Sequence, residues 1–457
     1  MRIRVIPGAT VGGACRVPGD KSIAHRWLIL AATARGRSRL VGVPGSLDVR
    51  STASCLAMVS ERGRPSLEAW AHNVGAGTEG HGSTWNEDVS EEALTTLEVE
   101  GEGRSALTEA AGPLDCGNSG TSMRLLAGTL AAAPFRSVLV GDRSLSTRPM
   151  ERVAEPLRAM GAVVSTTDGH APLEVVGGPL YGIVTTLAVP TAQVKSAVLL
   201  AGIAAEGETT VTESAATRDH TERALAALGA PVSVEGRTVS LQGVYQHDAF
   251  TGTVPGDVSS AAFLVAAAAL TGSELTVREV GLNPSRLHFL RVLERMGVRT
   301  ETRPTRRELG EPVGDLWVAP GADLQGTVID ASELPLVIDE VPVLAVMATH
   351  ARGETWFTGA AELRTKETDR LSGVAAGLRT LGGHAGIEGD DLVVPGLGLR
   401  GGVADSGGDH RLAMAFAVGA LAADGPSEIE GMEAADVSFP GFVDTIRALG
   451  ASVEGAT

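Results

Sequence analysis

The chain has 457 residues, of which 43% are hydrophobic and 20% are charged, and its formal net charge is −17. This length predicts two or three domains of an ordinary globular protein. The acidic balance and the 3% aromatic content argue against a nucleic acid partner, because that function needs a basic surface and stacking aromatics.

The chain also lacks the usual marks of membrane insertion or secretion. Apolar stretches such as Ala261 to Leu270 are interrupted well short of a membrane span. Residues 1–5 predict a strand and no secretory leader. Cys15, Cys55 and Cys116 are scattered, with neither a disulfide pattern nor a zinc spacing. We therefore expect a cytoplasmic, metal-free protein with buried thiols; a nucleophile at Cys116 is the less favoured alternative.

One unit of sequence recurs six times. Each copy has a small polar turn, an Ala/Leu-rich helix, a glycine turn and a strand rich in Thr, Val and Glu. The copies begin at Val17, Leu114, Val189, Val254, Ile338 and Asp405. A mixed helix-and-strand unit predicts a repeat-built globular enzyme and not a rod-like solenoid. Six units favour two α/β domains of three units each, with helices inside and sheets around them.

Two stretches interrupt this pattern, and a Pro-Gly dipeptide occurs at the start of two of the units. Residues 61–112 predict a surface insertion or a hairpin extension, in which Leu97–Glu100 forms one strand. The polar stretch from Arg303 to Gly314 predicts a loop between strands. Pro18-Gly19 and Pro255-Gly256 precede the first and fourth units, and we expect them to be the hinges at which the chain crosses between domains.

The polar turns of the first half carry cations and exposed amides. Lys21 and Arg26 follow Gly19, where Asp20 or Ser22 can cap the helix. Two cations at the positive end of a helix dipole are unfavourable unless an anion joins them, so an anion site is favoured over a solvated turn. The glycines of Gly117–Gly120 let backbone N–H groups approach a ligand.

The next turns add an arginine, hydroxyl and amide groups. Pro149 restricts the backbone of Arg148. The residues Thr191, Ala192 and Gln193 open the third unit's helix. In the Arg218–Glu222 segment, the histidine is as well explained by capping and packing as by catalysis.

The second half carries the acids. Asp339 opens an apolar helix, as an N-cap or as a general base. Five charges lie between Arg364 and Arg370, either on a solvated helix face or facing a cleft. The candidate cations at turns are Lys21, Arg26, Arg124, Arg148, Arg218, Lys366, Arg370 and Arg411, and the candidate acids are Asp339 and Glu367. Arginines grip carboxylates and phosphates, and paired acids move protons, so the residues predict a cofactor-free transferase or lyase acting on small polyanions.

Nine motifs, in order, resemble those of the 5-enolpyruvylshikimate-3-phosphate synthase family. They are PGDKSIAHR, GNSGTSMRL, STRPM, AQVKSAVLLAG, TRDHTE, VPGDVSSAAF, IDEVPVLAV, RTKETDRL and GGDHRLAM. The resemblance runs from about Val17 to the end, with only 61–112 outside it. It implies a two-domain inverse α/β barrel of six βαβαββ units, three per domain. It also implies an N-terminal-half domain, 19–253, and a discontinuous C-terminal-half domain, 1–18 plus 254–457.

The resemblance further implies the reaction. The family moves the enolpyruvyl group of phosphoenolpyruvate to the 5-hydroxyl of shikimate 3-phosphate and releases phosphate, on the route to chorismate and the aromatic amino acids. No cofactor and no metal are implied, the partners are the two small substrates, and we expect a cytoplasmic monomer.

The motifs carry the family's site residues onto this chain. Shikimate 3-phosphate is expected at Lys21, Ser22, Arg26, Thr191, Ala192, Gln193, Arg218, Asp339 and Lys366. Phosphoenolpyruvate is expected at Lys21, Gly120, Arg148, Gln193, Arg370 and Arg411. Asp339 is expected to be the base toward the 5-hydroxyl, and Glu367, assisted by Lys21, to exchange the proton at the methylene carbon.

The sequence departs from the family pattern in two places. Thr191 stands where a serine is usual, and its extra methyl crowds the shikimate phosphate. Val437 stands where many members have a lysine, which puts one phosphoenolpyruvate contact in doubt. Gly120 leaves room for glyphosate, so we expect sensitivity to that inhibitor.

Two other functions remain open. A UDP-N-acetylglucosamine enolpyruvyl transferase would share the fold and the donor, but none of the three cysteines lies in the setting of that family's reactive cysteine. A catalytically silent anion-binding paralogue would need no general base. Phosphate release on mixing both substrates separates the three alternatives.

Overall fold

The computed structural model describes residues 1–73, 85 and 94–455. Within these residues the strands form six small sheets, and the buried apolar side chains form two separate hydrophobic cores. One core belongs to the first half of the chain. The other belongs mainly to the second half and includes the N-terminal strands.

The first core is enclosed by three sheets, with strand orders β13-β3-β4, β5-β6-β8-β7 and β11-β12-β10-β9. Its helices are α1 (Lys21–Thr33), α2 (Leu47–Val59), α3 (Arg64–Asn73), α4 (Gly120–Leu130), α5 (Glu151–Ala159), α6 (Ala192–Gly202) and α7 (His220–Ala227). Its strands are β3 (Arg35–Val41), β4 (Thr96–Glu102), β5 (Leu114–Asp115), β6 (Arg136–Val140), β7 (Val163–Thr167), β8 (His170–Val176), β9 (Val184–Leu187), β10 (Glu208–Glu213), β11 (Val232–Glu235), β12 (Thr238–Gln242) and β13 (Thr251–Thr253).

The second core is enclosed by the sheets β21-β22-β1-β23, β15-β16-β14-β2 and β17-β18-β20-β19. Its helices are α8 (Val258–Leu270), α9 (His288–Arg295), α10 (Leu334–Val337), α11 (Val341–Ala348), α12 (Arg370–Thr380), α13 (His410–Ala420) and α14 (Phe442–Ala448). Its strands are β1 (Arg2–Ile6), β2 (Gly13–Cys15), β14 (Leu275–Gly281), β15 (Thr300–Glu308), β16 (Glu311–Val318), β17 (Val328–Ile329), β18 (Glu354–Phe357), β19 (Gly386–Glu388), β20 (Asp391–Pro395), β21 (Val403–Asp405), β22 (Ser427–Glu430) and β23 (Ser452–Glu454).

The central helices lie inside and the sheets lie outside. In the second core α8, α11 and α13 contact one another, and α8 is buried from Val258 to Ala269. In the first core α4 contacts both α1 and α6. It packs so closely on α6 that a Cβ atom at Gly128 would overlap the Ala197 carbonyl. Helices that are apolar on every side need such burial, whereas strands with one polar face can cover them.

The two halves are joined where the chain passes between them. The Asp20 N–H donates to the Pro255 carbonyl at 2.7 Å, and the Asp257 N–H donates to the Pro18 carbonyl at 2.8 Å. The two connections therefore run side by side. Together with the strand pairing of β1 and β2, these contacts support the division after 18 and after 253, whose boundaries stay a prediction.

The interpretation of 61–112 as a surface insertion is wrong at both of its ends. Helix α3 buries Leu67 and Trp70 in the first core, and β4 pairs with β3 and buries Leu97 and Val99. Periodic apolar positions in a polar stretch were the missed signal. Residues 74–84 and 86–93 of the proposed insertion lie outside the described residues.

The predicted loop at 303–314 is also wrong, because β15 and β16 run through it as a hairpin with its turn at Leu309-Gly310. Polar residues face outward along β15, so the stretch lacks the apolar content of a buried strand. Among the described helices, none combines the length and the apolar character that a membrane crossing requires.

Candidate active site

Helix N-termini from both halves converge on one cavity of about 280 Å³. Helices α1, α4 and α6 begin on one side of it, and α11, α12 and α13 begin on the other. The predicted residues that line it are Lys21, Ser22, Arg26, Gly120, Arg148, Thr191, Ala192, Gln193, Arg218, Asp339, Lys366, Glu367 and Arg411. Helix N-termini and cationic side chains make this cavity suitable for anions.

Asp339 lies among three arginines. It pairs with Arg218 from the first half, and its carboxylate lies 3.4 Å from Arg411 Nη2 and 3.8 Å from Arg370 Nη1. Burial raises the pKa of Asp339, but the surrounding cations outweigh this and hold the pKa well below its usual range. Helix α11 begins two residues later and has Glu340 at its N-cap position, so Asp339 does not cap it, and the surrounding cations keep the Asp339 carboxylate ionised.

Glu367 is the second carboxylate of the cavity. It pairs with Arg370, and its Oε1 lies 3.8 Å from Arg148 Nη1 of the other half. Burial raises the pKa of Glu367, and Arg370, His410, Arg148 and Lys21 more than reverse that effect. These cations thus keep the Glu367 carboxylate ionised.

Arg370 is the one predicted residue that does not line the cavity. It is 1% exposed and lies directly behind Glu367, where its Nε donates to Asp409 Oδ2 at 2.9 Å. The Asp409 side chain also caps α13 through the Arg411 N–H at 2.9 Å. Arg370 therefore supports the side of the cavity that carries Asp339 and Glu367, which we call the acidic wall. Its predicted contact with phosphoenolpyruvate stays a prediction.

Lys21 faces the cavity from the first turn of α1, which Asp20 caps through the Ile23 N–H at 3.0 Å. Its Nζ donates to Asp48 Oδ2 at 2.9 Å. Across the cavity lies His410. Burial, Lys21 and Arg411 lower its pKa to about 3, so this imidazole is neutral at pH 7.

Arg26 lines the cavity but is already engaged by protein oxygens. Its Nε, Nη1 and Nη2 donate to Thr221 Oγ1, Ser22 O and Ser196 Oγ at 2.8, 2.7 and 2.7 Å. Burial is the main reason that its pKa falls to about 10. These hydrogen bonds join α1 to α6 and α7. The role of Arg26 in substrate binding stays a prediction.

The opening of α6 is held by an amide bridge. Gln193 accepts from Arg124 and donates to Thr121 Oγ1 at 2.9 Å, so its side chain joins α6 to α4. Thr191 occupies the N-cap position without a capping hydrogen bond from its side chain. Val437, the second departure from the family pattern, is not among the cavity-lining residues.

The site contains residues that the sequence interpretation missed or left without a role. Asp48, Arg152, Arg286, Glu362 and His410 line the cavity, and Arg152 lies 3.4 Å from Glu362 across the two halves. His410 lies inside the quoted GGDHRLAM motif. Asp48 carried no local signal beyond an acid in the first turn of α2.

Two other predictions, those on Cys116 and His220, have clear outcomes in the described residues. Cys116 is buried, and a hydrogen bond with Cys55 together with burial raises its pKa, so the thiol is inert. His220 is buried and bonds Glu311 at 2.8 Å, which favours packing over catalysis. No group of three or more His, Cys, Asp or Glu within the described ranges could hold a metal ion.

Comparison with known proteins shows the family to which the chain belongs. The family described as EPSP synthase (3-phosphoshikimate 1-carboxyvinyltransferase) matches residues 5–66 and 84–446. The chain belongs to the EPSP synthase family. Because the match resumes at residue 84, the prediction that all of 61–112 lies outside the family resemblance is wrong.

Relatives of the EPSP synthase family match over the whole length. The chain is 48% identical to the 3-phosphoshikimate 1-carboxyvinyltransferase of Halorhodospira halophila, over 99% of this chain and 96% of that protein. It is 44% identical to the protein of the same name from Acidithiobacillus ferrooxidans, over 100% and 99%.

A solved EPSP synthase from Acinetobacter baumannii superposes on the chain with a TM-score of 0.81, at 37% identity and with full coverage of both chains. The family resemblance and the fold class, a two-domain inverse α/β architecture, are therefore confirmed.

Proposed function

We propose that this chain transfers the enolpyruvyl group of phosphoenolpyruvate to the 5-hydroxyl of shikimate 3-phosphate and releases phosphate. The observation that carries the proposal is one cavity in which Asp339 and Glu367 from one half face Lys21, Arg148 and Arg218 from the other. Two anionic substrates fit the cations, and two ionised carboxylates fit a reaction with two proton transfers.

Shikimate 3-phosphate is assigned to the side on which α1, α6 and the Arg218 turn meet. Ser22 Oγ lies 3.4 Å from Arg218 Nη1, so a hydroxyl and a guanidinium already face one point. The assigned residues are Lys21, Ser22, Arg26, Thr191, Ala192, Gln193, Arg218, Asp339 and Lys366. Lys366 is half-buried, its pKa is lowered chiefly by desolvation, and its Nζ lies 4.0 Å from Glu362 Oε1.

Phosphoenolpyruvate is assigned to the neighbouring space between α4 and the acidic wall. Arg148 Nη2 donates to Asn118 Oδ1 at 2.6 Å, which fixes the guanidinium beside Gly120. The assigned residues are Lys21, Gly120, Arg148, Gln193, Arg370 and Arg411. Arginines suit this donor because carboxylate and phosphate both accept two parallel N–H bonds.

The chemistry then follows as an addition and an elimination. Asp339 takes the proton of the 5-hydroxyl while the oxygen of that hydroxyl bonds to the C2 carbon of phosphoenolpyruvate. Glu367, once it has been protonated from solvent, donates that proton to C3 as the C2–C3 π electrons form the new C–H bond, with Lys21 nearby, and a tetrahedral phosphate-bearing intermediate results. Loss of a C3 proton to Glu367 then re-forms the double bond and expels phosphate.

Substrate binding itself would prepare the two acids for this traffic. Arg218 and Arg411 contact Asp339, and Arg370 and Arg148 contact Glu367. An anionic substrate that engages these cations weakens their pull on the carboxylates. Their pKa values then rise toward the range in which proton transfer is efficient.

The test is phosphate release by the purified chain with phosphoenolpyruvate and either of two acceptors. Release with shikimate 3-phosphate and none with UDP-N-acetylglucosamine is expected. Release with the aminosugar nucleotide alone, or with neither acceptor, would overturn the proposal. We further propose a cytoplasmic monomer, and sedimentation of the purified chain tests the oligomeric state.

A further inference from the structure

One arginine that neither motifs nor substrate assignments single out lies where the two halves meet. Arg286, in the connection between β14 and α9, is 3% exposed. Its Nη1 donates to Asp20 Oδ2 at 3.0 Å and its Nη2 lies 3.4 Å from Asp257 Oδ1. A single guanidinium thus bridges carboxylates on both connections between the domains.

The two aspartates are equivalent members of a duplicated turn. Val-Pro-Gly-Asp occurs at 17–20 and again at 254–257, and each aspartate caps a central helix, α1 or α8. Asp257 Oδ2 also accepts the backbone N–H of Lys21 at 3.4 Å. The carboxylate of one half therefore helps to fix the catalytic lysine of the other half.

The same guanidinium also reaches the acidic wall. Arg286 Nη2 donates to Ser259 Oγ at 2.6 Å, and Ser259 Oγ donates in turn to Glu340. Glu340 is the chain neighbour of Asp339. Arg286 thus connects the turn that carries Lys21 with the turn that carries Asp339. It reaches the first through a hydrogen bond to Asp20 and the second through two hydrogen bonds that lead to Glu340.

The charges around Arg286 make it hard to replace. Asp20, Asp257 and Glu340 are all buried, and burial raises the pKa values of Asp257 and Glu340. For Asp20, Arg286 is the main cation that outweighs burial and lowers the pKa. His220 Nε2 completes the surroundings, 3.5 Å from Arg286 Nη1. An ammonium group lacks the planar fork that contacts two carboxylates at once.

We infer that Arg286 is a positioning residue for the transfer: it holds the two duplicated turns together so that Lys21 faces Asp339 across the cavity. This inference rests on the proposed function. It predicts that loss of the guanidinium lowers kcat more than it weakens substrate binding, because Arg148, Arg218 and Arg411 stay in place while the two catalytic turns shift.

The experiment measures phosphate release, KM for both substrates and the thermal midpoint for four variants. Arg286→Met removes the fork, and Arg286→Lys keeps the charge. Arg286→Met combined with Asp257→Asn removes the charge imbalance while keeping one side-chain oxygen, which can still accept the Ser259 N–H that caps α8. Arg104→Met is the matched control, since the Arg104 guanidinium donates to the Tyr245 carbonyl and does not line the cavity.

A misplaced catalytic group commonly costs up to about 100-fold, so Arg286→Met should lower kcat by about 30- to 100-fold, with both KM values within about threefold. Arg286→Lys should recover part of that loss. The double variant should regain the thermal midpoint without regaining kcat, and Arg104→Met should keep wild-type kcat.

Two results would overturn the inference while wild-type activity stands. One is a folded Arg286→Met enzyme with kcat within about threefold of wild type, since positioning effects are larger. The other is a double variant that regains kcat together with stability, which would reduce Arg286 to a counter-ion. If Arg286→Met does not fold, Arg286→Lys and the double variant decide the question. A wild-type chain that releases no phosphate refutes the proposed function instead.

Discussion

The two halves of the molecule face the same cavity with different chemistry. The first half supplies Lys21, Arg148, Arg218 and helix-end hydroxyl and amide groups, whereas the second supplies Asp339 and Glu367, the acids proposed for proton transfer, together with Lys366 and Arg411. The ion pairs Arg218–Asp339 and Arg148–Glu367 cross between the halves. The two carboxylates proposed for proton transfer thus come from one half, whereas the cations come from both halves, and the complete site exists only where the halves meet.

The strongest way to break this division is to remove the acids and leave the cations. Asp339→Asn and Glu367→Gln should each lower kcat by about 100- to 10,000-fold, the usual contribution of a positioned acid or base, with smaller changes in KM. Phosphate release measures both. Glu388→Gln, at the exposed end of β19, is the control and should keep wild-type kcat. Equal losses in kcat and in substrate affinity would show that the acids serve binding instead.

Loss of a cation from the first half should change the titration of an acid in the second half. Arg218 helps to hold the pKa of Asp339 well below its usual range. Only ionised Asp339 accepts a proton, so activity is lost as pH falls through that pKa. In Arg218→Met the pKa rises, and the acid limb of kcat/KM should move up by about one pH unit.

The pH profile of kcat/KM measures this shift, and Arg152→Met is its control, because Arg152 faces Glu362 and not Asp339. An acid limb that stays in place in Arg218→Met would mean that the two halves are not electrostatically coupled at Asp339.

A third change sharpens the assignment of the donor site to α4. A Cβ atom at Gly120 would lie 2.7 Å from Arg124 Nη1 and 3.5 Å from Arg148 Nη1. Glyphosate should compete with phosphoenolpyruvate in the wild type, and Gly120→Ala should weaken its inhibition by about tenfold, the effect of one methyl group in a close-fitting site. Inhibition kinetics against phosphoenolpyruvate provide the measurement. Absence of competition at millimolar glyphosate would refute the assignment.

The smallest effect is expected at a contact remote from the cavity. Trp85 belongs to the first half by sequence but bonds the second, through Thr445 Oγ1 at 3.2 Å and the Pro440 carbonyl at 3.1 Å. Trp85→Ala should lower the thermal midpoint by about 2–6 °C through lost packing, with kcat unchanged. Trp85→Phe, which keeps a ring, should lose less. A large loss of kcat at an unchanged midpoint would instead give this contact a role in catalysis.

The amino-acid sequence by itself determined the repeat, the inside-out arrangement of helices and the turns that carry the site. Helical periodicity, capping and glycine turns are local, so a short segment is enough to specify them. The motif turns around Lys21, Asp339 and Glu367 fall in this class, and their side chains line one cavity.

The tertiary structure alone decided which partners those turns acquired. Lys21 bonds Asp48, and Arg370 lies behind Glu367. Arg286 joins Asp20 to Asp257, two residues that are far apart in the chain. Such contacts depend on how two cores pack, which no local pattern records. For the same reason α3 was missed and the strand predicted at Leu97–Glu100 was not assigned to the core, because the burial of both elements depends on the sheet and helices that surround them.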